Sequence, residues 1–209
     1  TDSITWTGTF TPTPNIKDSI NVLILASTYT DLAGNTGSAS TTANYTIDTI
    51  APSVTSFTMS DTSLKIGDTS TVTLVFSEAV NGFDNTDITV VNGSLSTLTS
   101  SDNITWTGTF TPSTNIENTT NILILAGSYT DVAGNTGLSV TTGNYTIDTF
   151  APTISSITPS WGSYLNSTED NNDGTVIVVT TNIEDGQTLT IGLNSVNYTG
   201  SITSNSVTI

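Results

Sequence analysis

The sequence predicts an all-β protein made of tandem sandwich domains, and three observations predict it. Apolar and polar residues alternate with a period of two: in Ile104-Thr105-Trp106-Thr107-Gly108-Thr109-Phe110, residues Ile104, Trp106 and Phe110 share one face and the threonines the other. Turn residues punctuate the chain at short intervals, at Asp61, Gly67-Asp68, Asn81-Gly82, Asn92-Gly93 and Ala133-Gly134-Asn135. Residues 1–50 return at 101–150 with about two thirds of positions identical. A period of about 100 residues is a whole domain, not a solenoid unit.

In the complete copy, residues 51–150, strands are predicted in order at 53–59, 70–77, 88–91, 94–99, 104–111, 121–129 and 142–148. Val72, Leu74 and Phe76 give the second strand its period of two, and the apolar run at 122–126 has the length of a buried strand. No stretch combines a helical period with capping residues. Seven short strands over about 100 residues, with turns between them, read as an immunoglobulin-like β-sandwich.

The copies divide the chain into three parts. Residues 1–50 correspond to the last three strands of one sandwich, 51–150 to a complete one, and 151–209 to the first part of another subtype. A half sandwich leaves sheet faces uncovered, so the end segments are expected to be completed either by more of the same polypeptide or by strands of neighbouring molecules, as in a donor-strand filament.

Composition narrows the function. The 209 residues include 18 acidic and 2 basic side chains, Lys17 and Lys65, for a net charge of -16. Only 10% of residues are charged, against about 25% in a typical domain. Nucleic acid requires clustered Lys and Arg, and anionic membranes attract basic segments, so neither is an expected partner. No run approaches the length of a membrane-spanning helix. Cysteine and histidine are both absent, which removes disulfides, thiolate and imidazole metal sites and the common nucleophile–base pairs. Hydrophobic residues at 34% with regularly placed aromatics speak for folded domains, not disorder.

Several motifs follow one another in order: Phe76-Ser77-Glu78-Ala79-Val80, Gly82-Phe83-Asp84-Asn85, Trp106-Thr107-Gly108-Thr109-Phe110-Thr111-Pro112, Asp131-Val132-Ala133-Gly134-Asn135 and Asp148-Thr149-Phe150-Ala151-Pro152. Through these the chain resembles the bacterial immunoglobulin-like repeats of giant secreted surface adhesins, including RTX-type adhesins exported by type I systems. Thr180-Thr181-Asn182-Ile183-Glu184-Asp185-Gly186-Gln187 resembles a second subtype of such repeats. The resemblance implies a non-enzymatic extracellular protein on the bacterial cell surface, with calcium-stiffened linkers between repeats.

The sandwich topology itself points to candidate metal ligands. The linker carrying Asp48 arrives at the end of the sandwich that also holds the loop with Glu78, Asp84 and Asp87 and the loop with Asp131 and Asn135. Carboxylates gathered there repel one another unless a cation joins them, and Ca²⁺ suits hard oxygen ligands in flexible loops. A structural Ca²⁺ is therefore expected on Asp48, Glu78, Asp84 and Asp131, with Asp87 or Asn135. The next linker places Asp148 with Glu184 and Asp185. The same residues are also ordinary turn formers. The run Glu169-Asp170-Asn171-Asn172-Asp173-Gly174 lacks EF-hand spacing and reads as a solvated loop.

The remaining motifs read as structure. Trp6 and Trp106 are expected in the core beside Phe10 and Phe110, and Trp161 in packing. Alternating threonines suit an exposed sheet face. Lys17 gives way to Glu117 in the other copy, so a lysine crosslink is not a repeat feature. The leading expectation is an extender or stalk of an adhesin or filament. Its partners would be neighbouring repeats of the same or adjacent chains, with a host or surface glycan or protein reached through a distal domain. The alternative is a module that itself binds a glycan or protein.

Overall fold

The computed structural model describes residues 4–164 and 173–209. Within residues 1–50 lie β1 (Lys17–Asn21), β2 (Ile24–Leu25), β3 (Ser40–Thr41) and β4 (Tyr45–Asp48). The second copy contributes β5 (Val54–Met59), β6 (Ser63–Lys65), β7 (Ser70–Phe76), β8 (Ile88–Thr89) and β9 (Gly93–Leu95). It continues with β10 (Thr105–Pro112), β11 (Glu117–Asn121), β12 (Ile124–Leu125), β13 (Val140–Thr141) and β14 (Tyr145–Asp148). The last segment holds β15 (Thr153–Pro159), β16 (Val176–Thr181), β17 (Thr188–Leu193), β18 (Val196–Ser201) and β19 (Ser206–Thr208). The one helical turn among the described residues is a 3₁₀ turn at Asn85–Asp87. The protein is nearly all β, in multiple sheets, consistent with immunoglobulin-like sandwiches.

The chain forms two compact units. The first comprises Thr1–Thr62, Thr69–Thr111 and Thr120–Tyr145. Its largest sheet has the order β5–β7–β10–β9. Antiparallel pairing sets Trp106 opposite Leu74, Gly108 opposite Val72 and Phe110 opposite Ser70. Along β7 the alternate residues Ser70, Val72, Leu74 and Phe76 are buried, which is the pattern of a central strand with one face on a core. A second sheet, β13–β12–β8, sets Leu125 against Ile88 and Val140. Aromatic rings fill the core. Phe76 meets Phe83 at 5.4 Å and Tyr129 at 4.7 Å between ring centroids, and Phe110 meets Tyr145 at 5.3 Å. Each such ring stabilises the fold by roughly 1.5–3 kcal/mol when fully buried. Trp106 packs edge-on against Phe83 at 4.9 Å and keeps partial exposure.

Besides the predicted strand at 142–148, which narrows to β14 with β13 in a different sheet just ahead of it, and that at 94–99, which shortens to β9, two elements differ from the sequence reading. The predicted strand at 121–129 is interrupted, because polar side chains take over the backbone pairing there. Asn121 N–H donates to Asn144 Oδ1 at 2.9 Å, Asn121 Nδ2 to the Tyr145 carbonyl at 3.0 Å, and Leu123 N–H to Thr142 Oγ1 at 3.0 Å. In the first copy Asn21, Asn44, Tyr45, Leu23 and Thr42 repeat these contacts. The other difference is β6, a three-residue strand with a single buried side chain, Leu64. It is too short to display a period.

The second unit comprises Ser63–Asp68, Pro112–Thr119 and Thr146–Ile209. Here β6 runs parallel to β14, with Leu64 opposite Ile147. The buried Thr149 hydroxyl accepts from Ile116 N–H at 2.9 Å and donates to the Ser113 carbonyl at 2.7 Å. The sheets β15–β16–β19 and β17–β18 follow. Their core is Val178, Ile202 and Val207, flanked by Val176, Ile183, Leu189, Ile191 and Ile209. Trp161 lies against Gly174, where a Cβ would come within 2.5 Å of its ring; its role is packing, as its sequence context suggests. Residues Glu169 to Asn172 of the acidic run lie outside the described residues.

Candidate functional site

The first linker gathers charged side chains from four parts of the sequence. Asp48 closes β4 directly opposite Lys17 of β1. That cross-strand position brings Lys17 Nζ to 2.8 Å from Asp48 Oδ2. Glu78 follows β7, and its Oε2 lies 2.5 Å from the same ammonium. Asp131 comes from the loop after Tyr129. Carboxylate oxygens of Asp48, Glu78 and Asp131 all lie within 4.8 Å of one another. Lys17 bridges two of the three, and the hydrogen bonds from its ammonium to Asp48 and then Glu78 raise its pKa well above the usual lysine value.

The Asp131 loop is itself tightly organised. Asn135 N–H donates to Asp131 Oδ1 at 2.9 Å and Asn135 Nδ2 to Asp131 Oδ2 at 2.7 Å. Gly134 takes a φ of +95°, a left-handed conformation suited to glycine. Burial of Asp131 pushes its pKa up, but the Asn135 side-chain and backbone hydrogen bonds, with smaller ones from Gly134 and Ala133, outweigh it and hold the pKa below the usual carboxylate range. The Asn135 amide then reaches the linker backbone, donating to the carbonyls of Asp48 at 3.1 Å and Ile50 at 3.3 Å. One side chain thus fixes a loop and holds a linker.

Asp84 and Asp87 are engaged elsewhere. Asp84 caps the 3₁₀ turn, with Oδ1 accepting from Thr86 N–H at 2.7 Å and from the Thr86 hydroxyl at 2.5 Å; these two bonds lower its pKa. Asp87 Oδ2 accepts from Asp84 N–H at 2.9 Å, completing a capping box, and Asp87 Oδ1 accepts from the Ser128 hydroxyl. Neither belongs to the three-carboxylate cluster.

In the second unit Asp148 Oδ1 accepts from Phe150 N–H at 3.1 Å, as Asp48 does from Ile50. Glu117, Asp148 and Glu184, with Asn182 and Asn205, line a cleft of about 290 Å³. Glu117 occupies the place that Lys17 holds one copy earlier. Asp185 instead accepts from Ser204 N–H at 2.7 Å and does not line this cleft.

Lys17 is legible in the sequence only as a crosslinking candidate, and Glu117 only as the residue that replaces it. The information was available in the strand pairing, since the residue opposite the linker aspartate in β1 is the one that reaches its carboxylate.

The family model of the bacterial Ig-like domain matches the chain twice, over residues 1–47 and 48–147. The chain belongs to the bacterial Ig-like domain family. Neither the curated proteins nor the solved structures contain a match to it. The first bacterial Ig-like match contributes Lys17 to the site and the second contributes Asp48, Glu78, Asp131 and Asn135. Bacterial Ig-like domains are typical of surface and extracellular proteins, where they form repeats, and the family is generally non-enzymatic. No helix among the described residues is long and apolar enough to cross a membrane.

Whether calcium suits these sites can be tested against the donor sets. At the first linker the oxygens are of the right kind, but the Lys17 ammonium already sits on two of them, so a cation must displace it. The Lys17 side chain is more than half exposed, so its ammonium can be displaced into solvent without being buried elsewhere. At the second linker the donors are carboxylates and amides with no ammonium among the cleft residues, the right kind for calcium, although among the described residues only Asp48, Glu78 and Asp131 bring three carboxylates within 4.8 Å of one another.

Proposed function

We propose that the chain is a run of extender repeats in the stalk of a bacterial surface adhesin or extracellular filament, divided at residues 1–50, 51–150 and 151–209. The first linker is held by a loop of the repeat that follows it. The observation that carries this reading is the Asn135 amide on the linker carbonyls of Asp48 and Ile50. A linker tied to a loop has fewer conformations than a free one, and restricted linkers are what an extender needs to project a distal domain that binds a host or surface glycan or protein.

Two kinds of cation then neutralise the linker carboxylates. In the first, Lys17 serves as a tethered counter-ion for Asp48 and Glu78. In the second, Glu117 replaces the lysine and leaves Glu117, Asp148 and Glu184 to take up Ca²⁺. Supporting this reading is the opposite charge at equivalent positions, 17 and 117, beside linker aspartates in identical local sequence. Isothermal titration of the metal-free chain with CaCl₂ tests it. Uptake of one Ca²⁺, abolished by Glu117→Gln with Asp148→Asn, is the expected result. No uptake at millimolar calcium removes calcium from the account.

A further inference from the structure

Two Asn-Gly pairs occur in the chain, Asn81-Gly82 and Asn92-Gly93, and each follows a valine. Glycine puts no side chain in the way of its own backbone nitrogen. That nitrogen can reach the side-chain carbonyl carbon of the preceding asparagine when the peptide between them turns. The fold treats the two pairs differently.

Asn92 is restrained. Its Nδ2 donates to Asn121 Oδ1 at 2.8 Å. Gly93 opens β9, which pairs with β10, and a Cβ on it would come within 2.3 Å of the Phe110 ring and 2.7 Å of the Thr111 carbonyl. Neither residue has room to turn. Asn81 and Gly82, by contrast, are exposed. Among the described residues, neither the Asn81 side-chain amide nor the Gly82 N–H has a hydrogen-bond partner. Gly82 takes a φ of +72°, and nothing stands within 4 Å of where its Cβ would be. One contact resists the turn: the Asn81 carbonyl accepts from Thr130 N–H at 3.1 Å, in the bridge where Asn81 N–H donates to the Thr130 carbonyl at 2.7 Å.

We propose that Asn81-Gly82 is a self-modification site, at which water converts the asparagine to aspartate and isoaspartate. The Gly82 nitrogen gives up its proton and bonds to Asn81 Cγ. The Cγ–Nδ2 bond breaks, and the side-chain nitrogen leaves with that proton as ammonia. Water then opens the cyclic imide. Breaking the bond between Gly82 N and Cγ gives aspartate, and breaking the bond between Gly82 N and the Asn81 main-chain carbonyl carbon gives isoaspartate. No oxidant, reductant or second protein takes part. Either product adds one negative charge three residues after Glu78, in a segment bridged to Thr130, the neighbour of Asp131. Isoaspartate also lengthens the main chain by one carbon, which upsets the register of that bridge. The site thus changes charge and backbone in the loops that meet the first linker, and it does so whether or not calcium binds.

Peptide mapping by mass spectrometry tests this on the full chain, aged in the folded state at mildly alkaline pH in heavy-oxygen water. The isotope marks each carboxylate made by hydrolysis and separates it from those made during digestion. The expected result is labelled aspartate and isoaspartate at position 81, accumulating at least tenfold faster than at position 92. In urea the two pairs should convert at similar rates, since the fold separates them and the dipeptide does not. A folded chain that keeps Asn81 intact while the urea-unfolded chain converts overturns the proposal. So do equal rates at 81 and 92 in the folded chain, or a difference between them that persists unchanged in urea.

Discussion

Replacing Asn135 by alanine separates a loop contact from a linker contact, because the first copy supplies a control with the same loop sequence. Asn135 Nδ2 faces three acceptors: Asp131 Oδ2 at 2.7 Å and the carbonyls of Asp48 and Ile50 at 3.1 and 3.3 Å. Asp131 is buried, so losing its charge-assisted donor costs about 1.5–2 kcal/mol, and the two longer carbonyl bonds add about 0.5 kcal/mol each. The total, about 2.5–3 kcal/mol, lowers the melting temperature of a 100-residue domain by about 10–20 °C. Asn35 makes the same bond to Asp31 at 2.8 Å, but both residues are exposed and nothing else receives the amide. Differential scanning calorimetry of Asn135→Ala and Asn35→Ala therefore should show a large drop for the first and little change for the second. Equal drops would refute the linker contact, since they would assign the whole effect to the loop that the copies share.

Three further outcomes follow from the same geometry. Phe110→Ala removes a fully buried ring and should destabilise by about 3–5 kcal/mol in urea unfolding, whereas Phe10→Ala, at a half-exposed position, should change the midpoint little. Asp131 has a folded pKa below its unfolded value of about 3.9. Its stabilisation is thus present above that pH and is lost as pH falls through the folded pKa. Melting temperatures between pH 6 and pH 2.5 should fall less steeply in Asp131→Asn than in the unaltered chain. Glu117→Lys should remove the thermal gain from calcium, a gain of about 2.7 kcal/mol when free calcium is 100 times its Kd; scans with and without EGTA measure it.

The fold was legible where side chains alternate over several residues. Val72, Leu74 and Phe76 in β7, and Trp106 and Phe110 in β10, declared their strands and inner faces. β6 was not legible, because three residues with one inward side chain show no period. The break after Asn121 was hidden too: the apolar run at 122–126 looks like a strand, and only the three-dimensional placement of Asn144 and Thr142 reveals the side chains that replace its ladder.

Loop placement in a sandwich was enough to bring Asp48, Glu78, Asp131 and Asn135 to one place on paper. Asp84 and Asp87 were drawn into the same set because spacing alone cannot separate a ligand from a cap. The run Asp84-Asn85-Thr86-Asp87 does carry the capping-box pattern, which offered a local use for both carboxylates. Lys17 was weighed only as a crosslinking residue, and its exchange for Glu117 set that role aside without giving either residue a place at the linker. In the folded chain that exchange is the largest change of charge beside the linker aspartates.

The account rests on linkers that cations hold, and the width of a distance distribution measures that directly. The chain has no cysteine, so Thr71→Cys and Thr188→Cys, both exposed sites, can carry the only two spin labels. Double electron–electron resonance should give a broad distribution in EGTA and one at least twofold narrower in millimolar calcium, with Glu117→Lys narrow in both. Equal widths with and without calcium in the unaltered chain would contradict it.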